Sequence, residues 1–142
     1  MDSMSTERPA HRPLPAPSAA SRDFWTGGER GELLIHRCSA CGRFFHPPAP
    51  ACFRCRSVDV GPVAVSGVAT VATFTVNRHE WFAGFPPPYV VAIVEIAEDS
   101  SVRLTTNIVG CDVDEVHIGQ RVAVEFEQWD DVWIPVFRPV PS

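Results

Sequence analysis

Four cysteines constrain this chain more than anything else in it. Cys38 and Cys41, then Cys52 and Cys55, form two C-x-x-C pairs with ten residues between them. A C-x-x-C step on a tight turn points both sulfurs to one side. Two such turns supply the four thiolates of a tetrahedral structural zinc site. One pair alone would fit a redox motif equally well, whereas two pairs across a short loop point to a metal knuckle. The spacing predicts zinc, with iron on a rubredoxin-like site and a pair of disulfides as the alternatives. A module of this size has too few residues for a real core. The metal must supply much of its folding free energy, on the order of 10–16 kcal/mol in small zinc peptides. His36 and His46 flank the cysteines, but four sulfurs already complete the shell. A closed shell leaves no position for a substrate or an activated water, so the centre reads as a scaffold.

The chain has 142 residues, which suits one domain or one domain with a small module. No apolar run approaches the ~18 residues of a membrane span. The first twenty residues carry Pro9, Pro13, Pro15 and Pro17 among Ala and Ser. They resemble no signal peptide and predict a disordered leader over 1–20. A cytoplasmic protein is expected, in which thiols stay reduced and paired cysteines favour metal. Charge is uneven: residues 33–61 carry a net +3, whereas 62–142 carry a net −7. The acidic part would repel a nucleic-acid backbone. The chain contains no lysine, which excludes a Schiff base and a P-loop from this polypeptide.

Along the chain, Ser21 reads as the N-cap of a short helix over 21–30, with Phe24-Trp25 as its apolar surface and an end near Gly31. Phe24 and Trp25 are expected to pack on the body of the same chain. Residues 33–37 predict a strand into the first knuckle. Gly42 suits a turn with positive φ, and Phe44-Phe45-His46 predicts a return strand. From Gly61 onward the pattern is β. Strands are expected over 63–78 with a bend at Gly67, then over 89–96, 101–108, 120–128 and 132–138. Val102, Leu104, Thr106 and Ile108 alternate onto one face. Residues 111–118 read as a short helical turn, and Pro135 predicts an edge position or an irregularity. Five strands with a long bent first one suit an OB-fold barrel, with a small β-sandwich as the alternative. The expected organisation is a leader over 1–20, a helix over 21–32, a zinc ribbon over 33–61 and an OB-fold over 62–142. The loop over 79–88 holds Trp81, Phe82 and Phe85. These either fold back to cap the barrel or face a ligand or partner.

Several separated motifs then carry a resemblance. They are Phe24-Trp25, Cys38-x-x-Cys41-Gly42, Phe45-His46-Pro47-Pro48, Cys52-x-x-Cys55, Gly67 with Phe74, Pro87-Pro88-Tyr89-Val90-Val91-Ala92, and Thr106-Asn107-Ile108-Val109-Gly110-Cys111. In this order, over about residues 21–140, the chain resembles the zinc-ribbon/OB-fold family known as domain of unknown function thirty-five. Arg56 departs from it, standing where a glycine often follows the second knuckle, and Gly27-Gly28 loosens the first helix. The resemblance implies a mainly β fold: N-terminal helix, rubredoxin-like ribbon with structural zinc, and C-terminal five-stranded OB barrel.

It also implies a role. Members work beside thiolase-like enzymes, including lipid-transfer-protein-type aldolases, thiolases and the archaeal synthase assembly of the mevalonate route. Some are linked to steroid side-chain degradation or aromatic-acid thiolysis. The partner carries the catalytic residues, and the ribbon/OB subunit stabilises the hetero-oligomer and helps hold the acyl-CoA. Acyl-CoA carries phosphates and an adenine, which a small arginine patch and exposed aromatics suit. The candidate ligand- or partner-binding residues are therefore Arg37, Arg43, Arg54, His79, Trp81, Phe82, Phe85 and Tyr89. No catalytic residue is assigned. Cys111 reads as a small apolar residue at a strand end, and neither His79 nor His117 has an evident acid or base partner. The alternatives are a free-standing acyl-CoA binding module and a single-strand nucleic-acid binder that stacks bases on the aromatic loop.

Overall fold

The computed structural model describes residues 14–81 and 85–141. The chain starts with a short helix, α1 (Arg22–Thr26), which runs into a 3-10 turn over Gly27–Arg30 and stops at Gly31, φ 72°. The stop falls where expected, because only glycine enters the left-handed region without a Cβ penalty. The start also falls where expected, with Ser21 at the N-cap position, but without the capping bond. Ser21 makes no side-chain cap, and its hydroxyl lies 3.0 Å from that of Ser18, accepting the Ser18 amide at 2.9 Å. The hydroxyl therefore ties down the preceding segment instead of the helix.

Two β units follow. In the first, β1 (Leu33–Cys38) lies between β2 (Phe44–Phe45) and β3 (Val60–Val65), antiparallel to both. In the second, β4 (Val68–Asn77), β5 (Tyr89–Ile96), β6 (Asp99–Ile108), β7 (Arg121–Trp129) and β8 (Val132–Pro139) close a barrel in the order β4-β5-β6-β8-β7. A 3-10 turn over Val113–Glu115 crosses between β6 and β7, as the 111–118 pattern suggested. This is the five-stranded OB architecture. The run over 63–78 divides at Gly67, φ 84°. Its first part, within β3, pairs with β1 of the ribbon, and only β4 enters the barrel. An added Cβ on Gly67 would sit 2.6 Å from Val124 Cγ1, so the bend also needs the missing side chain.

The barrel interior follows the period-2 pattern. Val90, Ala92, Val94 and Ile96 point inward from β5, and Val102, Leu104, Thr106 and Ile108 from β6. Pro135 pairs in regular register with Phe126 of β7, and its other side has no ladder partner, the edge position it predicted. β8 meets β6 in parallel only at Ile108 and Phe137. Beside that sparse contact the buried Thr106 hydroxyl donates to the Pro135 carbonyl at 2.9 Å, which satisfies both groups.

Leu33 and Ile35 of β1 are fully buried in the same apolar cluster as the barrel strands, together with Phe24. Phe24 and Trp25 thus pack on their own chain, as expected. The Gly27-Gly28 pair loosens the helix as expected, ending its α part at Thr26, and is also a close-packing device. An added Cβ on Gly28 would lie 2.5 Å from Trp133 Cβ and 2.6 Å from Phe126 Cδ1. The absence of a side chain lets the turn rest directly on β7 and β8. Among the described residues no helix is long and apolar enough to cross a membrane.

Gly28→Val should therefore cost on the order of 1–3 kcal/mol of stability in urea denaturation of the zinc-loaded chain, the usual size of an overpacking penalty. Gly61→Ala, whose Cβ meets nothing within 4 Å, is the control and should be near neutral. Equal effects of the two would contradict the packing argument.

Candidate functional site

The two knuckles repeat one local structure. The Cys38 amide donates to the Arg43 carbonyl at 2.9 Å and the Gly42 amide to the Cys38 carbonyl at 2.8 Å. In the second knuckle the Cys52 amide donates to Ser57 at 2.8 Å and the Arg56 amide to Cys52 at 2.8 Å. The residue after each second cysteine takes positive φ: Gly42 at 81° and Arg56 at 66°. Arg56 therefore adopts the backbone that glycine usually supplies, at a cost of roughly 1–2 kcal/mol for a residue with a Cβ. Backbone amides also reach the sulfurs. Those of Arg54 and Cys55 approach Cys52 Sγ at 3.4 and 3.5 Å. Such bonds favour thiolate: the Cys55 amide leads the groups that bring Cys52 down to about 6, and the Cys41 amide those that lower Cys38.

All four Sγ atoms lie within 4.8 Å of one another. Cys38 Sγ to Cys55 Sγ is 3.5 Å, and Cys41 Sγ to Cys52 Sγ is 3.8 Å. A tetrahedron of sulfurs about 2.3 Å from a central zinc has edges of about 3.8 Å, so the donor set fits the ion. Disulfide sulfurs would sit about 2.05 Å apart. Cys38 and Cys52 are buried beside Phe45, with Ala49 and Val60 packed against them. Neither nearby histidine joins this cluster. His36 packs edge-on to Phe45 at 5.6 Å, and His46 lies against Phe24 at 4.8 Å.

The arginines stand around the first knuckle. Arg37 donates to the Gly42 carbonyl at 3.0 Å and lies over the Phe44 ring at 4.8 Å. Arg43 and Arg54 line a hollow with Cys41, Gly42, Asp99 and Ser101. Arg43 also lies 5.7 Å from the Phe53 ring, which is 69% exposed.

In the aromatic loop, Trp81 donates its indole N–H to Asn77 Oδ1 at 2.8 Å, packs against His79 at 4.3 Å and is 64% exposed. Phe85 stacks on Tyr89 at 4.3 Å, and both are half-buried. Phe82 lies outside the described residues. The two readings of this loop thus divide between its ends, with Phe85 folded back and Trp81 outward. Cys111 is half-buried against the barrel core, and burial leads the effects that push its thiol up. It behaves as the apolar strand-end residue expected of it.

One feature was not anticipated. A cleft of about 580 Å³ opens between the helix, the residues after β2, and strands β6 and β8. Phe24, Trp25, His46 and Leu104 line it, and Pro15 from the leader forms part of its wall. Phe45-His46-Pro47-Pro48 and Thr106-Asn107 stood out in the sequence, but nothing there showed that they meet.

A four-cysteine knuckle pair docked on a closed five-stranded barrel defines a zinc-ribbon/OB-fold protein. The family model described as the rubredoxin-like zinc ribbon domain of ChsH2 matches residues 25–60. That of the ChsH2 C-terminal OB-fold domain matches 62–127. A DUF35 domain-containing scaffold protein of Methanocaldococcus jannaschii is 34% identical, over 80% of this chain and 86% of that protein. A chain of a solved structure, "Ltp2-ChsH2(DUF35) aldolase", superimposes with a TM-score of 0.80 at 35% identity, over 89% of this chain and 98% of that one. A probable enoyl-CoA hydratase alpha subunit of Thermomonospora curvata is 37% identical over 92% of this chain, which spans only 40% of that protein. The chain belongs to the DUF35 family of zinc-ribbon/OB-fold proteins, and its cofactor is a structural zinc.

Cys38→Ser removes one thiolate from a closed shell. It should leave the purified chain with less than stoichiometric zinc and melt the ribbon, read as loss of dispersion in the amide NMR signals of residues 33–61. Full zinc retention would contradict the scaffold role.

His46 supplies a pH prediction. Burial, followed by the nearby His36, lowers its imidazole to about 4, whereas an unfolded histidine titrates near 6.5. The unfolded chain thus takes up the proton first. The stability from this group is whole above about 6.5 and is lost as pH falls toward 4. At equal zinc loading, His46→Phe should flatten the fall in urea stability between those pH values. Cysteine protonation is common to both proteins, so an unchanged slope would contradict the assignment.

Proposed function

We propose that this chain is a non-catalytic subunit of an enzyme complex acting on acyl-CoA thioesters. Its partner is a thiolase-like or lipid-transfer-protein-type enzyme, acting as a thiolase or an aldolase. The observation that carries this reading is the likeness, over nearly the whole of both chains, to the DUF35 chain of a solved aldolase. The hydratase alpha subunit, whose name specifies a CoA ester, supports the acyl-CoA class. Steroid side-chain and aromatic-acid CoA esters are the substrate classes proposed first.

The physical features agree with a scaffold. The four cysteines would hold the zinc with no position left for a substrate, so the ion supplies cross-linking and charge compensation, not reaction chemistry. Phe53 and Val58, at 69% and 79% exposure, stand on the second knuckle and on the segment leading to β3. Exposed apolar side chains of this size beside arginines suit burial against another protein. We assign the ribbon tip, with Arg43 and Arg54, and the outward Trp81 to partner contact.

Co-expression with a thiolase-like enzyme from the same source should give a stable hetero-oligomer in gel filtration. The partner's carbon–carbon bond cleavage should require this chain. A partner that is soluble and fully active alone would refute the role.

A further inference from the structure

The four cysteines complete one shell, but the fold does not present them equally. Cys38 and Cys52 are buried, whereas Cys41 and Cys55 are exposed. A thiolate that meets solvent is open to attack, since the thiolate is the nucleophilic form of cysteine. The two exposed cysteines also differ from each other. Cys41 belongs to the wall of a hollow of about 530 Å³, with Arg43, Arg54, Asp99 and Ser101, and Cys55 does not. No apolar side chain lines this hollow, so it suits a small polar molecule. Its one carboxylate is already engaged: Asp99 Oδ1 accepts the Ser101 amide at 3.0 Å and the Ser101 hydroxyl at 2.7 Å. Two guanidinium groups outweigh it. Reactive cysteines sit in such electropositive, partly exposed surroundings.

A second sulfur stands behind the first. Cys52 Sγ lies 3.8 Å from Cys41 Sγ, on the buried side. The amides of Arg54 and Cys55, at 3.4 and 3.5 Å, hold it there. A disulfide bond of about 2.05 Å is a short movement away once the sulfurs are no longer spread around a metal.

We propose that Cys41 is the site at which a hydroperoxide oxidises this chain, with Arg43 and Arg54 holding the oxidant and Cys52 as the resolving thiol. The Cys41 sulfur attacks one peroxide oxygen. The S–O bond forms as the O–O bond breaks, and the leaving oxygen, its charge met by the guanidinium N–H groups, takes a proton and departs as water. The Cys52 thiolate then attacks the sulfenic sulfur of Cys41. The S–S bond forms, the S–O bond breaks, and the second oxygen takes a proton from solvent and leaves as water. Two thiolates lose two electrons, and one hydrogen peroxide is reduced to two waters. The donor set keeps only two thiolates, so the metal is released and the ribbon loses the ion that supplies much of its folding free energy. The attack falls on sulfur and needs no open position on the metal. A thiol reductant with fresh zinc restores the ribbon. The hollow lies at the ribbon tip assigned above to partner contact, so the modification acts on the chain before assembly. The proposal itself stands on the chain alone and not on the subunit role.

The test uses the full zinc-loaded chain, hydrogen peroxide and a chromophoric zinc chelator. One equivalent of peroxide should release the zinc. Trypsin cuts after Arg37, Arg43 and Arg54, so Cys41 and Cys52 fall in separate peptides, 38–43 and 44–54. Mass spectrometry should find those two joined. Dithiothreitol with zinc should bring back the amide dispersion of residues 33–61. Replacing both arginines, Arg43→Gln and Arg54→Gln, should slow peroxide-driven release about tenfold, while release to the chelator alone stays unchanged. Arg78→Gln removes a charge from the loop after β4 and should change neither rate. Zinc that stays bound through an excess of peroxide would overturn the proposal. So would a disulfide confined to peptide 38–43, or arginine variants that release zinc at the unsubstituted rate. Variants that change both rates alike would assign the arginines to holding the metal and equally overturn it.

Discussion

β1 is the member on which the rest of this structure depends, because it belongs to two cores at once. At one end Leu33 and Ile35 are fully buried with the barrel interior. At the other, Cys38 enters the sulfur cluster. Each of those apolar side chains contributes roughly 1.5–3 kcal/mol by leaving water. A two-knuckle module cannot hold its own strand in place by such burial alone. The metal fixes the far end of β1, and the barrel fixes the near end. β3, paired along the whole of β1, carries the chain from one unit to the other through the bend at Gly67.

This coupling explains which parts of the fold were legible in the sequence. The barrel strands were, because alternation of apolar residues survives wherever one face is buried, as in 89–96 and 101–108. The knuckles were, because ligand spacing is a local property. The change of sheet within 63–78 was not, since β-branched residues look alike on either side of a bend. Ser21 was rightly placed at the N-cap, but its hydroxyl's partner was not legible, because serine satisfies helix starts and turns with the same group. Gly27-Gly28 was rightly read as loosening the helix, but the packing of Gly28 was illegible, since it lies against Trp133 and Phe126, about a hundred residues away in the chain. The cleft was illegible for the same reason. Its walls come from four segments, and only the fold shows that His46 and Leu104 share a cavity.

The candidate site divides in the same way. The four cysteines were found by spacing, and the structure brings their sulfurs together. The arginines and aromatics were chosen by residue type, and the structure gives each its own surroundings: Arg37 on Gly42 and Phe44, Arg43 near Phe53, Trp81 on Asn77 and Phe85 on Tyr89. Residue type identifies side chains suited to a partner or a phosphate, but it does not say which of them share a surface. What results is a fold with distinct faces: a basic ribbon tip bearing Phe53, an acidic barrel bearing Trp81, and a mostly apolar cleft between helix and barrel.

The claim beneath all of this is that the metal is closed off and structural. Cobalt substitution tests it directly. The account predicts a single cobalt per chain, with the intense visible absorption of a tetrahedral tetrathiolate site, unchanged when azide, imidazole or an acyl thioester is added. A weak octahedral spectrum, or a tetrahedral one that shifts as those ligands bind, would show an open coordination position and contradict the scaffold reading.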